Sequence, residues 1–165
     1  MFGPAEDDEP CPSCSFFADS FNGAHVHLAN RDTAFVVVSR APYEKLQAFK
    51  KRMGWTFEWV SAGPKNEFPF DTHSAVTEEQ LATTAEYNFK QIKPWGTELP
   101  GASVFFKDDK KGVFHTYSCY GRGLDILNTT YNLLDLTPKG RDEQGPFKMS
   151  WVRRRDEYGQ PEVSK

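Results

Sequence analysis

Residues 33–61, TAFVVVSRAPYEKLQAFKKRMGWTFEWVS, decide the fold. Thr33 to Val38 is short, β-branched and apolar at successive positions, which predicts a strand buried on both faces of a parallel sheet. Pro42 then suits the first turn of a helix. Tyr43, Leu46, Phe49, Lys50 and Met53 supply the periodic face of that helix, and Gly54 stops it. Trp55 to Ser61 alternates as a second strand should. Strand, helix, strand at this spacing is a crossover unit, and it sets an α/β expectation for the whole chain.

Upstream lies Cys11-Pro12-Ser13-Cys14, followed by a segment in which Phe17, Phe21 and Leu28 recur with helical spacing. Gly23 predicts a kink or an early stop there. Downstream, residues 62–76 are rich in turn formers. Thr77-Glu78-Glu79-Gln80 fits a capping box, with a helix expected from there toward Phe89. Residues 102–106 and 113–117 read as two strands around the charged reversal Lys107 to Gly112, hence a β-hairpin. Leu124, Leu127, Tyr131 and Leu134 mark a last amphipathic helix, closed by Pro138 and Gly140. Phe147, Met149, Trp151 and Val152 are the apolar positions of an otherwise polar end, and are expected to dock as a short strand. Strands alternating with helices argue for a three-layer α/β/α sandwich. The expected organisation is an acidic lead-in over 1–10, a domain over 11–152 with an insert at about 62–100, and a polar tail over 153–165.

Composition narrows the function classes. The chain has 165 residues, 38% hydrophobic and 15% aromatic, which is ample for one core and too much for a disordered chain. A net charge of −3 offers no footprint for nucleic acid and no attraction to anionic membranes. No apolar run approaches a membrane span, and no secretory leader is expected from the opening residues. Three cysteines do not make a disulfide scaffold, so a reducing, cytoplasmic setting is expected.

A C-x-x-C pair at a helix start is a redox signal with a mechanism. Unpaired N–H groups and the positive helix end stabilise a thiolate at the first cysteine, lowering its pKa from ~8.5 to ~7 or below. Cys11 is then the attacking thiolate and Cys14 the resolving thiol. Pro12 fits the first turn without losing a helix bond, and Ser13 leaves the sulfur accessible. Two other readings stay open. One is zinc, held by Cys11, Cys14, His25 and His27, although histidines two apart fall short of the usual finger spacing. The other is a purely structural pair.

The remaining candidates carry weaker signals. Cys119 reads as a small buried apolar residue, with a third thiol near the pair as the alternative. His115 alternates with apolar neighbours and is expected outward or satisfied in the core, with titration near the thiols as the alternative. Trp55 and Trp59 read as core or interface. Arg153-Arg154-Arg155, beside Asp156 and Glu157, reads as a solvated run. Gly121-Arg122-Gly123 lacks the third glycine and the lysine of a phosphate loop, and no G-x-S-x-G elbow occurs.

Several blocks also resemble one family. They are Cys11-Pro-Ser-Cys-Ser-Phe-Phe-Ala-Asp-Ser-Phe-Asn-Gly, Val38-Ser-Arg-Ala-Pro, Lys51-Arg-Met-Gly-Trp, Ser103-Val-Phe-Phe-Lys-Asp, Phe114-His-Thr-Tyr-Ser, Gly121-Arg-Gly-Leu-Asp and Asp135-Leu-Thr-Pro-Lys-Gly-Arg-Asp. Together they resemble thioredoxin-like proteins of unknown function labelled as dithiol-disulfide oxidoreductases, over about residues 1–158. The resemblance implies a thioredoxin-like sheet and disulfide exchange with a protein or small-molecule thiol or disulfide, with no bound cofactor. It also implies that Pro100, before the strand at 102–106, is a cis-proline beside the cysteines that shapes the substrate groove with Pro12 and Ser13; an ordinary turn proline is the other reading. Such relatives carry a further strand ahead of Met-Phe-Gly-Pro, so the sandwich is expected to lack its first central strand. Cys119 stands where the pattern has another residue. A non-enzymatic protein-binding module of the same fold is the alternative function.

Overall fold

A computed structural model describes residues 9–63, 65–145 and 147–159. They form two compact units, one of residues 9–63 with 127–159 and the other of residues 65–126. Helices and small sheets give mixed α/β content, and the described strands pair as three two-stranded sheets.

The first unit contains the crossover. Strand β1 (Val36–Ser39) pairs in parallel with β2 (Glu58–Ser61), with Val37 opposite Trp59 and Ser39 opposite Ser61. Helix α3 (Tyr43–Met53) connects them and buries Leu46, Phe49 and Met53, positions that share one helical face. Gly54 ends it in the left-handed region at φ 63°, where a side chain is costly. The Trp55 N–H then reaches back to the Lys50 carbonyl at 3.0 Å and the Gly54 N–H to Lys51 at 3.1 Å. Those bonds satisfy two carbonyls that a helix end otherwise strands.

Trp55, Phe57 and Trp59 alternate inward and join Ala18, Ala41 and the α3 face in one buried cluster. Each indole N–H has a partner: Trp55 donates to Asp19 at 2.6 Å and Trp59 to Ser39 at 3.0 Å. Val37 packs on this cluster, but Val36 and Val38 are 42% and 37% exposed. The expectation of burial on both faces is therefore corrected: with one ladder partner and one covered face, alternate side chains of β1 reach solvent.

Helices α1 (Pro12–Asp19) and α2 (His25–Ala29) precede the crossover, separated by turns that include Gly23. A smaller cluster joins Phe16 of α1 to Tyr131 and Val152, with edge-on rings at 5.3 Å from Phe16 to Tyr131 and 5.6 Å from Phe16 to Trp151. Met149, Trp151 and Val152 thus dock, as turns rather than the expected strand, whereas Phe147 is 76% exposed and does not. Tyr131 belongs to α6 (Thr129–Leu134), capped by the Asn128 side chain. The expected single helix from Leu124 is in fact a 3₁₀ segment, Gly121–Leu127, followed by α6, because the Asn128 cap starts a new helix.

In the second unit, α4 (Phe68–Asp71) lies in the turn-rich stretch and α5 (Glu78–Ala82) opens with the expected capping box. Thr77 accepts from the Gln80 N–H at 3.1 Å and Gln80 returns the bond at 2.9 Å. The helix stops at Ala82 rather than running to Phe89. Thr83 and Thr84 are poor helix formers, and Asn88 and Phe89 take positive φ to turn a hairpin between β3 (Ala85–Tyr87) and β4 (Lys90–Ile92). The longer hairpin is present as read: β5 (Gly101–Asp108) and β6 (Gly112–Tyr120) pair antiparallel with a bulge after Val104. Asp108 accepts the N–H groups of Lys110 and Lys111 across its reversal. Among the described residues no helix is long and apolar enough to cross a membrane.

Candidate functional site at the start of the first helix

Cys11 is the N-cap of α1, with extended-type backbone at φ −58° and ψ 121°. Its Sγ accepts the Cys14 N–H at 3.3 Å, the role a serine or aspartate oxygen plays at most helix starts. Pro12 occupies the first helical turn, where its missing N–H costs nothing. Ser15 is fully buried and fixes the other side of the cap. Its N–H and its hydroxyl both donate to the Cys11 carbonyl, at 3.0 and 2.9 Å.

Both cysteines are half-buried as residues, and they are unbridged. The two thiols diverge in acidity. A hydrogen bond from the Cys14 thiol, aided by the N–H groups of Cys14 and Ser13, outweighs burial and brings the Cys11 pKa down to about 6. The same bond, working against the donor, and deeper burial push the Cys14 thiol well above its ordinary value. A pair of this kind presents one sulfur as a thiolate near neutrality while the other keeps its proton.

Cys11, Pro12, Ser13 and Cys14 thus meet at one helix start, as their spacing predicts. Pro100 lies in the second unit. Among the described residues no peptide bond is cis, so Pro100 is trans, and its carbonyl accepts the Tyr87 hydroxyl at 2.7 Å. Of the two histidine candidates for zinc, His25 is engaged elsewhere: its ring bonds the Thr56 hydroxyl at 2.7 Å. Among the described residues no three of His, Cys, Asp and Glu gather as a metal site would require.

His115 stacks on Phe105 at 4.8 Å and bonds the Ser118 hydroxyl at 2.6 Å. Cys119 is half-buried on β6 rather than fully buried as expected. Gly121 gives its N–H to Tyr87, and Arg122 pairs with Asp125, so this turn is already occupied by the chain itself.

Two contributors escape the motif. Ser15 carries the signature of a hydroxyl four residues after the cap, which a search for side-chain-to-backbone bonds would find. Arg154 is the larger surprise, because the triple-arginine run reads as solvated. It is only 9% exposed, and its guanidinium donates twice to the carbonyl of Pro10, the residue before Cys11, at 2.7 and 3.2 Å.

A mixed α/β chain with a cysteine-capped helix is a broad class. The chain belongs to a family described as bacterial protein of unknown function (DUF899), whose profile matches residues 1–158. No curated protein and no solved structure matches it.

Proposed function

We propose that the protein carries out thiol–disulfide exchange through Cys11 and Cys14, on a thioredoxin-like frame. The observation that carries this reading is the Cys11 sulfur seated as N-cap of α1, bonded by the Cys14 N–H and held near a pKa of about 6. The Cys11 thiolate attacks a substrate disulfide. One sulfur of the substrate leaves as a thiolate and takes up a proton, and a mixed disulfide remains on Cys11. Cys14 then loses its proton and attacks Cys11 Sγ, expelling the second substrate sulfur. Two electrons pass from the cysteine pair to the substrate, and a thiol donor in the reducing cytoplasm restores the pair. No bound cofactor takes part. Pro12 and Ser13 flank the attacking sulfur in this reading.

The test is direct. Cys11→Ser abolishes reduction of an aromatic disulfide reporter, and Cys14→Ser accumulates a covalent mixed disulfide visible by mass. An active Cys11→Ser protein removes the proposal.

A second reading is favoured by the second unit. Val104, Phe106, Phe114 and Tyr117 stand exposed on the long hairpin, as a protein-binding module would present them. Thiol titration separates the two: a Cys11 pKa at ~8.5 or above supports binding without redox chemistry.

A further inference from the structure

The segment after α6 returns to the start of the chain's cysteine helix and closes around one buried cation. Arg154 donates through Nε and Nη2 to the Pro10 carbonyl, through Nη2 to Glu9 at 2.5 Å and through Nη1 to Glu157 at 2.5 Å. Pro10 is itself buried. Glu157 also accepts the Arg154 backbone N–H at 3.1 Å, so the side chain and its own backbone are locked by one carboxylate. Arg52 of α3 holds that carboxylate from the other side at 3.1 Å and pairs twice with Asp156. Among the described residues, the charged groups in this network around the guanidinium are Glu9, Glu157, Asp156 and Arg52.

This arrangement bears on Cys11 through the backbone. Two carbonyls flank the Cys11 α-carbon, that of Pro10 and its own. Ser15 fixes the second, and Arg154 fixes the first with a forked donor that only arginine supplies. The peptide planes on both sides of the capping residue are thereby set, and with them the direction of its Cα–Cβ bond.

We infer that Arg154 is a positioning residue for the Cys11 thiolate, clamping the Pro10 carbonyl so that Sγ stays aimed at the Cys14 N–H. It rests on the exchange reading of the cysteine pair. Loss of the clamp lets the cap residue rotate, weakens the bond to sulfur and makes the thiolate harder to form.

The test is the pH profile of Cys11 alkylation, read with thiolate absorbance on the reduced full chain. In Arg154→Met the Cys11 pKa is expected to rise by about one unit, which cuts the thiolate fraction at pH 6 about fivefold. Arg154→Lys keeps the charge but cannot fork onto the carbonyl, and it is expected to raise the pKa as well. It also carries the test if the methionine variant does not fold. Arg52→Met loosens the tail from α3 while leaving the bonds to Pro10 in place, and is expected to leave the profile unchanged. An unchanged profile in a folded Arg154 variant, or an equal rise in Arg52→Met, overturns the inference. A low Cys11 pKa in the parent chain without disulfide exchange removes the exchange reading alone. An ordinary parent pKa removes both.

Discussion

The two strand pairs on either side of residue 64 use the same aromatic vocabulary with opposite results. In the first unit Trp55, Phe57 and Trp59 enter a sealed cluster, because α3 lies over that face of β1 and β2. In the second, Phe105, Phe106 and Phe114 of β5 and β6 stay exposed, on a hairpin whose strands pair only with each other among the described residues. An alternating aromatic strand therefore specifies a ladder, and the layer that covers it has to be specified elsewhere in the chain.

The contrast is broken most severely at Trp59. Its replacement by alanine removes a ring that is 1% exposed and orphans the Ser39 hydroxyl, and is expected to cost about 3–5 kcal/mol in urea unfolding. Phe106→Ser, at 59% exposure, is expected to stay within about 0.5 kcal/mol. Equal losses at the two sites would mean that the hairpin is covered in solution.

Gly54 gives the next largest effect. A β-carbon there meets Arg155 Nη2 at 3.2 Å and must adopt φ 63°. Gly54→Ala is expected to cost about 1–2 kcal/mol from the left-handed backbone alone, read as a lowered midpoint in urea. In the second unit Thr77→Ala removes one half of the capping box, and about 1 kcal/mol of local stability, read by the exchange of α5 amides.

A different kind of effect is the pH dependence that Cys11 gives the first unit. The folded Cys11 pKa is about 6, below the ~8.5 of an unfolded thiol, so the unfolded chain binds the extra proton between those values. Stability of the reduced protein is expected to rise with pH across that window, and to lose the increment as pH falls through about 6. Cys14 is shifted the other way, so its contribution declines above the ordinary thiol value. Cys11→Ser should abolish the rise in a pH series of urea midpoints.

Much of the first unit was legible because its signals are local. Leu46, Phe49, Met53 and Gly54 announce a helix and its end without reference to anything distant, and the cysteine spacing announces its helix start. The reversal at 107–112 is equally self-contained. What escaped depends on partners remote in sequence. Exposure of Val36 and Val38 is decided by which face a second layer covers, and residues 33–38 hold no record of that. The capping box at Thr77 declares where a helix begins and nothing about its length. Arg154 reads as one of three solvated cations because its acceptor, the Pro10 carbonyl, lies 144 residues away and is a backbone atom with no sequence signature.

Tyr87 offers a last consequence. Its phenol receives the Gly121 N–H at 2.9 Å and gives its own proton to the Pro100 carbonyl at 2.7 Å. One oxygen thus latches the entry of β5 and the exit of β6 together. Amides at that base should trade their hydrogens with solvent as a single cooperative block, whereas those beside the lysine-rich tip open by fraying, each on its own schedule.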